Sequence, residues 1–256
     1  MIKSKRIIEI EELVTRKQVV TIEDICEQFG ISSSTARRDV NEIVESPRFT
    51  KVYGGLAVIN ASSNPAPLDH TLDDSSTDKD AISREAASKV KDGDTIYLDS
   101  GTTILRMVPY LADKEITIVT YSLPVINEVV KHKKLQVIAV GGMYDPKVSG
   151  FIGTITYNAL NSLVFDKLFL SVGGLNSSVG YKTHGYQEKE LKTLMFYKSV
   201  GEKYCLIDHG KFEKDALIAI GPLDSSITLI TDQEPPVKTQ NVFKQKGIKC
   251  IIAQND

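Results

Sequence analysis

Cysteine is scarce in these 256 residues: Cys26, Cys205 and Cys250 lie far apart, and none belongs to a C-x-x-C pair. An odd count without metal-ligand spacing argues against both a disulfide framework and a zinc site. No apolar run approaches the roughly 20 residues that a membrane-spanning helix needs. The opening segment, MIKSKRIIEI, has neither an apolar h-region nor a small-residue cleavage site. No signal peptide and no membrane partner are therefore expected, and the expected location is the cytoplasm. Net charge is small as well. Lys and Arg number 31 against 33 Asp and Glu, and a whole-chain charge of −2 counts against a strongly basic nucleic-acid binder. The remainder is ordinary for a globular chain: 41% hydrophobic and 25% charged residues exclude wholesale disorder.

One composition shift divides the chain. Residues 61–67, ASSNPAP, are small, polar and proline-containing, and the acidic LDHTLDDSSTDKD follows without helical or strand periodicity. That reads as a linker over 61–79, between a domain at 1–60 and a larger one at 80–256. The first domain carries three helical patterns. Ile7, Ile8, Ile10, Leu13 and Val14 share one face, and Val19-Val20-Thr21 interrupts the helix. Thr21 and Asp24 have the spacing of a capping box for a second helix, which Gly30 stops. Ser32 to Thr35 supply N-cap hydroxyls to a third helix carrying Ala36, Val40, Ile43 and Val44. Two short β segments around Gly54-Gly55 then predict a hairpin. Beyond residue 80 the rhythm changes. Apolar strands are expected at 95–98, 116–120, 136–140, 168–172, 204–207, 216–220, 227–230 and 249–252. Amphipathic segments at 82–90, 104–111, 123–131 and 188–200 alternate with them, the pattern of a parallel α/β sheet covered on both faces.

Helix, tight turn, helix with hydroxyls at its start, then hairpin is the order of a winged helix-turn-helix, whose second helix enters the major groove N-terminus first. Ser32, Ser33, Ser34 and Thr35 suit phosphate or base-edge contacts, and the helix dipole favours the anion there. Arg37 and Arg38 lie on adjacent faces, so that one can read guanine while the other clamps a phosphate. Lys51 and Tyr53 would form the wing, with Gly54 and Gly55 permitting a sharp turn or a close approach to double-stranded DNA. The plainer alternative is a small interaction module whose Arg-Arg-Asp is a solvated face.

In the larger domain, Asp99-Ser100-Gly101-Thr102-Thr103 follows a strand and opens a helix. Ligands of open α/β sheets sit at the carboxyl ends of strands, and a helix start offers N–H groups to a phosphate. Ser122, the pair Gly141-Gly142 and the pair Gly173-Gly174 follow later strands. Asp208 and Lys211 end another, placed to bond sugar hydroxyls and to neutralise a phosphate. Glu188 and Lys192 are spaced i,i+4, ordinarily a surface pair. His184 and His209 are not supported as a metal or pH-responsive pair by their spacing. Neither a metal nor a cofactor is expected, and no catalytic residue is assigned.

Two sets of motifs carry a family resemblance. SSSTARRDV with FTKVYGG, at residues 32–55, resembles the N-terminal module of the DeoR family of transcriptional regulators. DGDTIYLDSGTT, VIAVGG, the Asp-x-x-Phe-Leu-x-Val-Gly-Gly run at 166–174 and LIDHGKF resemble that family's effector domain. The resemblance implies a domain similar in fold to ribose-5-phosphate isomerase and the CoA transferases. It also implies a phosphorylated sugar as effector, whose binding alters operator affinity. Carried residue by residue, the phosphate loop falls on Asp99, Ser100, Gly101, Thr102 and Thr103, the helix pair on Glu188 and Lys192, and the late lysine on Lys211. Four departures stand out. Val40 replaces Leu in the recognition helix, and Tyr53 replaces His in the wing. Tyr121 replaces Asn, putting a ring where it would narrow the pocket. The interdomain segment is acidic where the family carries Arg.

The expected protein is therefore a repressor of sugar-metabolism genes, working as a homodimer or higher homo-oligomer. The alternative is a sugar-phosphate isomerase or acyl-transferase-like enzyme with Asp99 or Glu188 as base, which leaves residues 1–60 unexplained. Within those 60 residues nine cations equal nine acids. Net charge therefore does not exclude DNA binding, and it predicts modest non-specific affinity.

Overall fold

The computed structural model describes residues 3–17, 19–44, 46, 49–52, 55–58, 76–198, 201–214 and 216–254. The chain divides into two compact units, Met1–Asn64 and Pro65–Asp256.

In the first unit α1 (Lys3–Lys17) leads to β1 (Val19–Thr21), α2 (Ile22–Phe29) and α3 (Ser33–Ile43), followed by β2 (Phe49–Val52) and β3 (Gly55–Val58). The start of α2 follows from local chemistry. Thr21 Oγ1 accepts from the Asp24 amide at 3.0 Å, while the Asp24 carboxylate accepts from the Thr21 amide at 3.0 Å. Gly30 closes the helix in the left-handed region at φ 62°, which a side chain would disfavour. Ser32 then caps α3, its Oγ accepting from the Thr35 amide at 3.3 Å. Ile10, Leu13, Val14, Ile25, Ala36, Val40, Ile43 and Leu56 form the core between the helices and the sheet.

The hairpin read from the sequence is present but larger. Residues 19–21 do more than interrupt a helix: β1 pairs antiparallel with β3, giving a three-stranded sheet in the order β1-β3-β2. Gly55 is required by that pairing, because a Cβ there would stand 2.2 Å from the Val20 carbonyl oxygen.

The second unit begins with α4 (Ser76–Ser88), so residues 76–79, read from the sequence as linker, form its first turn. Then follow β4 (Thr95–Leu98), α5 (Thr102–Met107), β5 (Ile116–Thr120), α6 (Leu123–Val129), β6 (Leu135–Ala139), β7 (Met143–Asp145), β8 (Gly150–Ile152), α7 (Thr154–Ser162) and β9 (Lys167–Ser171). The chain continues through β10 (Gly174–Asn176), β11 (Gly180–Thr183), α8 (Tyr186–Tyr197), β12 (Glu202–Leu206), β13 (Ile218–Gly221), β14 (Ile227–Thr231), α9 (Val237–Lys246) and β15 (Cys250–Ile252).

Seven of these strands form one parallel sheet in the order β6-β5-β4-β9-β12-β14-β15. Alternation along β4 shows why both faces are apolar. Tyr97 packs with Leu160 of α7, Met195 of α8 and Phe243 of α9, while Ile96 and Leu98 pack with Ile82 of α4, Ile104 of α5 and Val125 of α6. One expected strand is elsewhere. Residues 216–220 do not join the parallel sheet. They supply β13 of an antiparallel sheet ordered β10-β11-β13, whose first two strands periodicity did not reveal because they are short and glycine-bounded.

Candidate functional site

The helix-turn-helix of the first unit sorts its residues cleanly. Ala36, Asp39, Val40 and Ile43 of α3 face inward, whereas Ser33, Ser34, Arg37 and Arg38 are exposed. The exposed set lies on the first turns of the helix, where unpaired N–H groups and the dipole favour phosphate. Ser32 Oγ is already engaged as the cap and lies 2.9 Å from Thr35 Oγ1 and 3.0 Å from Ser34 Oγ.

Sequence reasoning missed Asp39. Within the Arg-Arg-Asp run it is not solvated but 1% exposed, gripped at two points by Arg6 of α1: Nε donates to Oδ2 at 2.7 Å and Nη2 to Oδ1 at 3.2 Å. The fork-to-fork geometry fixes orientation as well as distance. Beside it Lys3 pairs with Glu42 at 2.6 Å, a second tie between α1 and α3. The wing is only partly visible. Tyr53 and Gly54, with Arg48, lie outside the described residues. Lys51 is placed in β2 by its backbone alone, and Gly55 is buried in the strand pairing.

In the second unit the predicted loop residues fall at the carboxyl ends of five neighbouring strands, from Gly141 and Gly142 after β6 to Asp208 and Lys211 after β12, while Glu188 and Lys192 lie on α8. Four strand spacings make that row about 19 Å wide. Gly142 and Lys211 therefore sit on opposite flanks of the central residue, Asp99. The row does not gather all of them around one small ligand.

Asp99 is the hub. Its Oδ2 accepts from Lys192 Nζ at 2.7 Å and the Ser171 amide at 2.9 Å, and lies 3.3 Å from Ser171 Oγ. Its Oδ1 accepts from the Ser100 amide at 2.8 Å, Tyr121 OH at 2.9 Å and Tyr97 OH at 3.4 Å. Both Asp99 and Lys192 are enclosed, their side chains 1% and 3% exposed. The Glu188–Lys192 spacing is thus no surface pair. Lys192 turns inward to Asp99, and Glu188 stands 3.7 Å away while accepting from Thr183 Oγ1. Burial works against the Lys192 charge, but Asp99 and Glu188 outweigh it and hold its pKa above the ordinary lysine value.

Tyr121 does not narrow an open pocket either. It is fully buried, and with its OH given to Asp99 it accepts from Ser100 Oγ at 3.0 Å. Burial first, and Asp99 second, push the Tyr97 and Tyr121 hydroxyls well above their ordinary pKa, so both remain donors. Asp99 is thus engaged at both carboxylate oxygens within the chain. It shapes the β4–α5 turn. Ser171, which the sequence reading passed over, completes that turn by donating to the Ser100 carbonyl.

Around this hub several polar groups remain available. Gly101 starts α5 at φ 133°, and a Cβ would lie 3.0 Å from Ser171 Oγ, so glycine is needed. Thr102 is half-buried. Thr103 Oγ1 and Ser122 Oγ are buried without a hydrogen-bond partner among the described residues. On the flanks, a Cβ on Gly142 would meet Thr156 Oγ1 at 2.1 Å, which explains that glycine by packing. Lys211 Nζ lies 3.4 Å from Asp208. A groove of about 930 Å³ between α7 and α8, lined by Tyr157, Lys189 and Tyr197 among others, holds none of the predicted residues.

Comparison with known proteins follows the same division. Residues 6–62 match the family described as the DeoR-like helix-turn-helix domain, and residues 74–233 match the DeoR C terminal sensor domain. The HTH-type transcriptional regulator IolR of Bacillus subtilis is 31% identical over 236 residues, covering 90% of this chain and 92% of its own length. The glycerol-3-phosphate regulon repressor of Escherichia coli is 28% identical, covering 95% of this chain and 96% of its own. Among solved structures, ribose 5-phosphate isomerase A of Methanocaldococcus jannaschii overlays 52% of this chain and 53% of its own, with a TM-score of 0.38 and 16% identity.

Proposed function

The chain belongs to the DeoR family of transcriptional regulators, and from that premise we propose that it represses sugar-metabolism genes under the control of a phosphorylated sugar. Operator DNA is read by α3, with Arg37 and Arg38 as the base and phosphate contacts and Ser33 and Ser34 at the helix start. The observation that carries this reading is the sorting of α3: its cations face solvent while Asp39 locks the opposite face to Arg6.

The effector binds at the carboxyl end of β4. The amides and hydroxyls of Gly101, Thr102 and Thr103 receive the phosphate, with the unpartnered Ser122 hydroxyl beside them. The Asp99–Lys192 pair holds the turn in shape and does not touch the ligand. Asp208 and Lys211, two strands away, reach only the far end of a sugar chain. Regulation is linkage: effector and operator favour different arrangements of a homodimer or higher oligomer in the cytoplasm. A coupling of about 1–3 kcal/mol changes operator affinity roughly 5–150-fold.

A thermal-shift screen of phosphorylated sugars tests the sensor, with operator binding measured in parallel. One ester should raise the melting temperature and change DNA affinity, and Thr102→Ala should weaken both effects. A panel without any stabilising phosphate ester would remove the sensor assignment.

A further inference from the structure

Beyond the operator and the effector, we propose that Asp78, His209 and Asp232 form a binding site for one divalent transition cation of the Zn²⁺ or Mn²⁺ type. The three residues come from separate elements. Asp78 lies in the first turn of α4, His209 in the short turn after β12, and Asp232 just beyond β14. One imidazole nitrogen and one carboxylate oxygen from each Asp all lie within 4.8 Å of one another. Around a bound zinc, with bonds near 2.0–2.2 Å, ligand atoms stand roughly 3–4 Å apart, so the His209–Asp232 contact at 2.5 Å opens as the ion enters while Asp78 closes in from the other side.

The site is built rather than incidental. Asp232 is 1% exposed, and its Oδ1 accepts from the His209 amide at 2.7 Å while Oδ2 meets His209 Nδ1 at 2.5 Å. Backbone and ring of His209 are thereby both fixed by a buried carboxylate. Asp78, by contrast, makes no hydrogen bond or ion pair among the described residues, yet its carboxylate is directed into the same cluster. Three acids, Asp78, Asp208 and Asp232, stand here against one lysine, Lys211, and the imidazole of His209. The excess of negative charge favours a cation over a phosphate.

Ligand chemistry narrows the ion. Imidazole suits Zn, Cu, Fe and Ni, whereas carboxylates alone suit Mg, Ca and Mn, so a mixed set selects the transition series over the alkaline earths. On binding, the metal takes the lone pair of the coordinating imidazole nitrogen, and any proton there passes to solvent. Two thiols do not compete: burial raises Cys205 to about 12 and Cys250 to about 11, keeping both protonated. Three protein ligands leave further positions for water or an oxygen-bearing ligand. A cation held there would tie α4 to the ends of β12 and β14.

Isothermal titration of the full chain with MnCl₂ and, separately, ZnCl₂ tests the site. The expected result is one saturable cation per chain, with affinity reduced about tenfold or more in both Asp78→Asn and His209→Gln. Asp78→Asn is decisive, since its carboxylate supports no other described contact and the variant should retain the circular dichroism of the parent. Absence of saturable binding by either ion, or undiminished affinity in Asp78→Asn, overturns the proposal. Neither result bears on DNA reading.

Discussion

Lys192 donates to Asp99 at 2.7 Å with both side chains enclosed, so the carboxyl end of β4 is closed by a charge pair. Taking two charges out of water is costly, and removing one partner leaves the other without compensation. Lys192→Met should therefore destabilise the chain by about 3–5 kcal/mol in urea unfolding. The double variant Asp99→Asn/Lys192→Met should recover part of that loss. A double variant no more stable than the single one would show that the pair does not hold the turn as described. The pH response has a defined sign. Because the folded Lys192 pKa lies above its ordinary value of 10.5, its contribution is complete below 10.5 and disappears as pH rises through the folded value.

The elements were legible where they rest on local signals: the Thr21/Asp24 capping box, Gly30, and apolar runs such as Ile116–Thr120. The hub was not. Asp99, Ser171 and Lys192 come from three elements, and nothing in the i,i+4 spacing of Glu188 and Lys192 says which way the lysine turns. Asp39 was missed for a similar reason: its partner, Arg6, lies on another helix. The same applies to Gly55, whose purpose depends on β1, a three-residue strand too short for periodicity.

Asp94 makes the acid side of the stability curve predictable. Its carboxylate meets Lys167 Nζ at 2.6 Å and accepts from the Lys91 amide at 2.7 Å. Burial raises its pKa, but Lys167 and the Lys91 amide prevail and hold it below the ordinary 3.8. A depressed folded pKa gives stability that is present above 3.8 and lost as pH falls through the folded value. Asp94→Asn should flatten the fall in stability between neutral pH and strong acid, measured by urea unfolding at several pH values. An unchanged acid limb would assign that loss to other carboxylates, among which Glu213 is also held low by Thr239 and Ser177.

Arg37 and Asp39 are two positions apart on α3 and should fail in different ways. Arg37 is exposed and supports no described contact within the chain, so Arg37→Ala should leave the melting temperature unchanged. Its operator affinity should fall by about 1–3 kcal/mol, and the salt slope should shrink by about one if the contact is to phosphate. Asp39→Asn removes the negative charge and one of the two acceptor oxygens that Arg6 holds on the inner face of the same helix. It should lower the melting temperature and weaken the operator complex without altering the slope, because no phosphate contact is lost. Salt-dependent binding titrations on both variants, alongside thermal melts, separate a residue that touches DNA from one that aims the helix. Equal melting temperatures with equal slopes would mean that Arg6 and Asp39 do not set the pose of α3. With nine cations balanced by nine acids in residues 1–60, little general attraction is available to mask either effect.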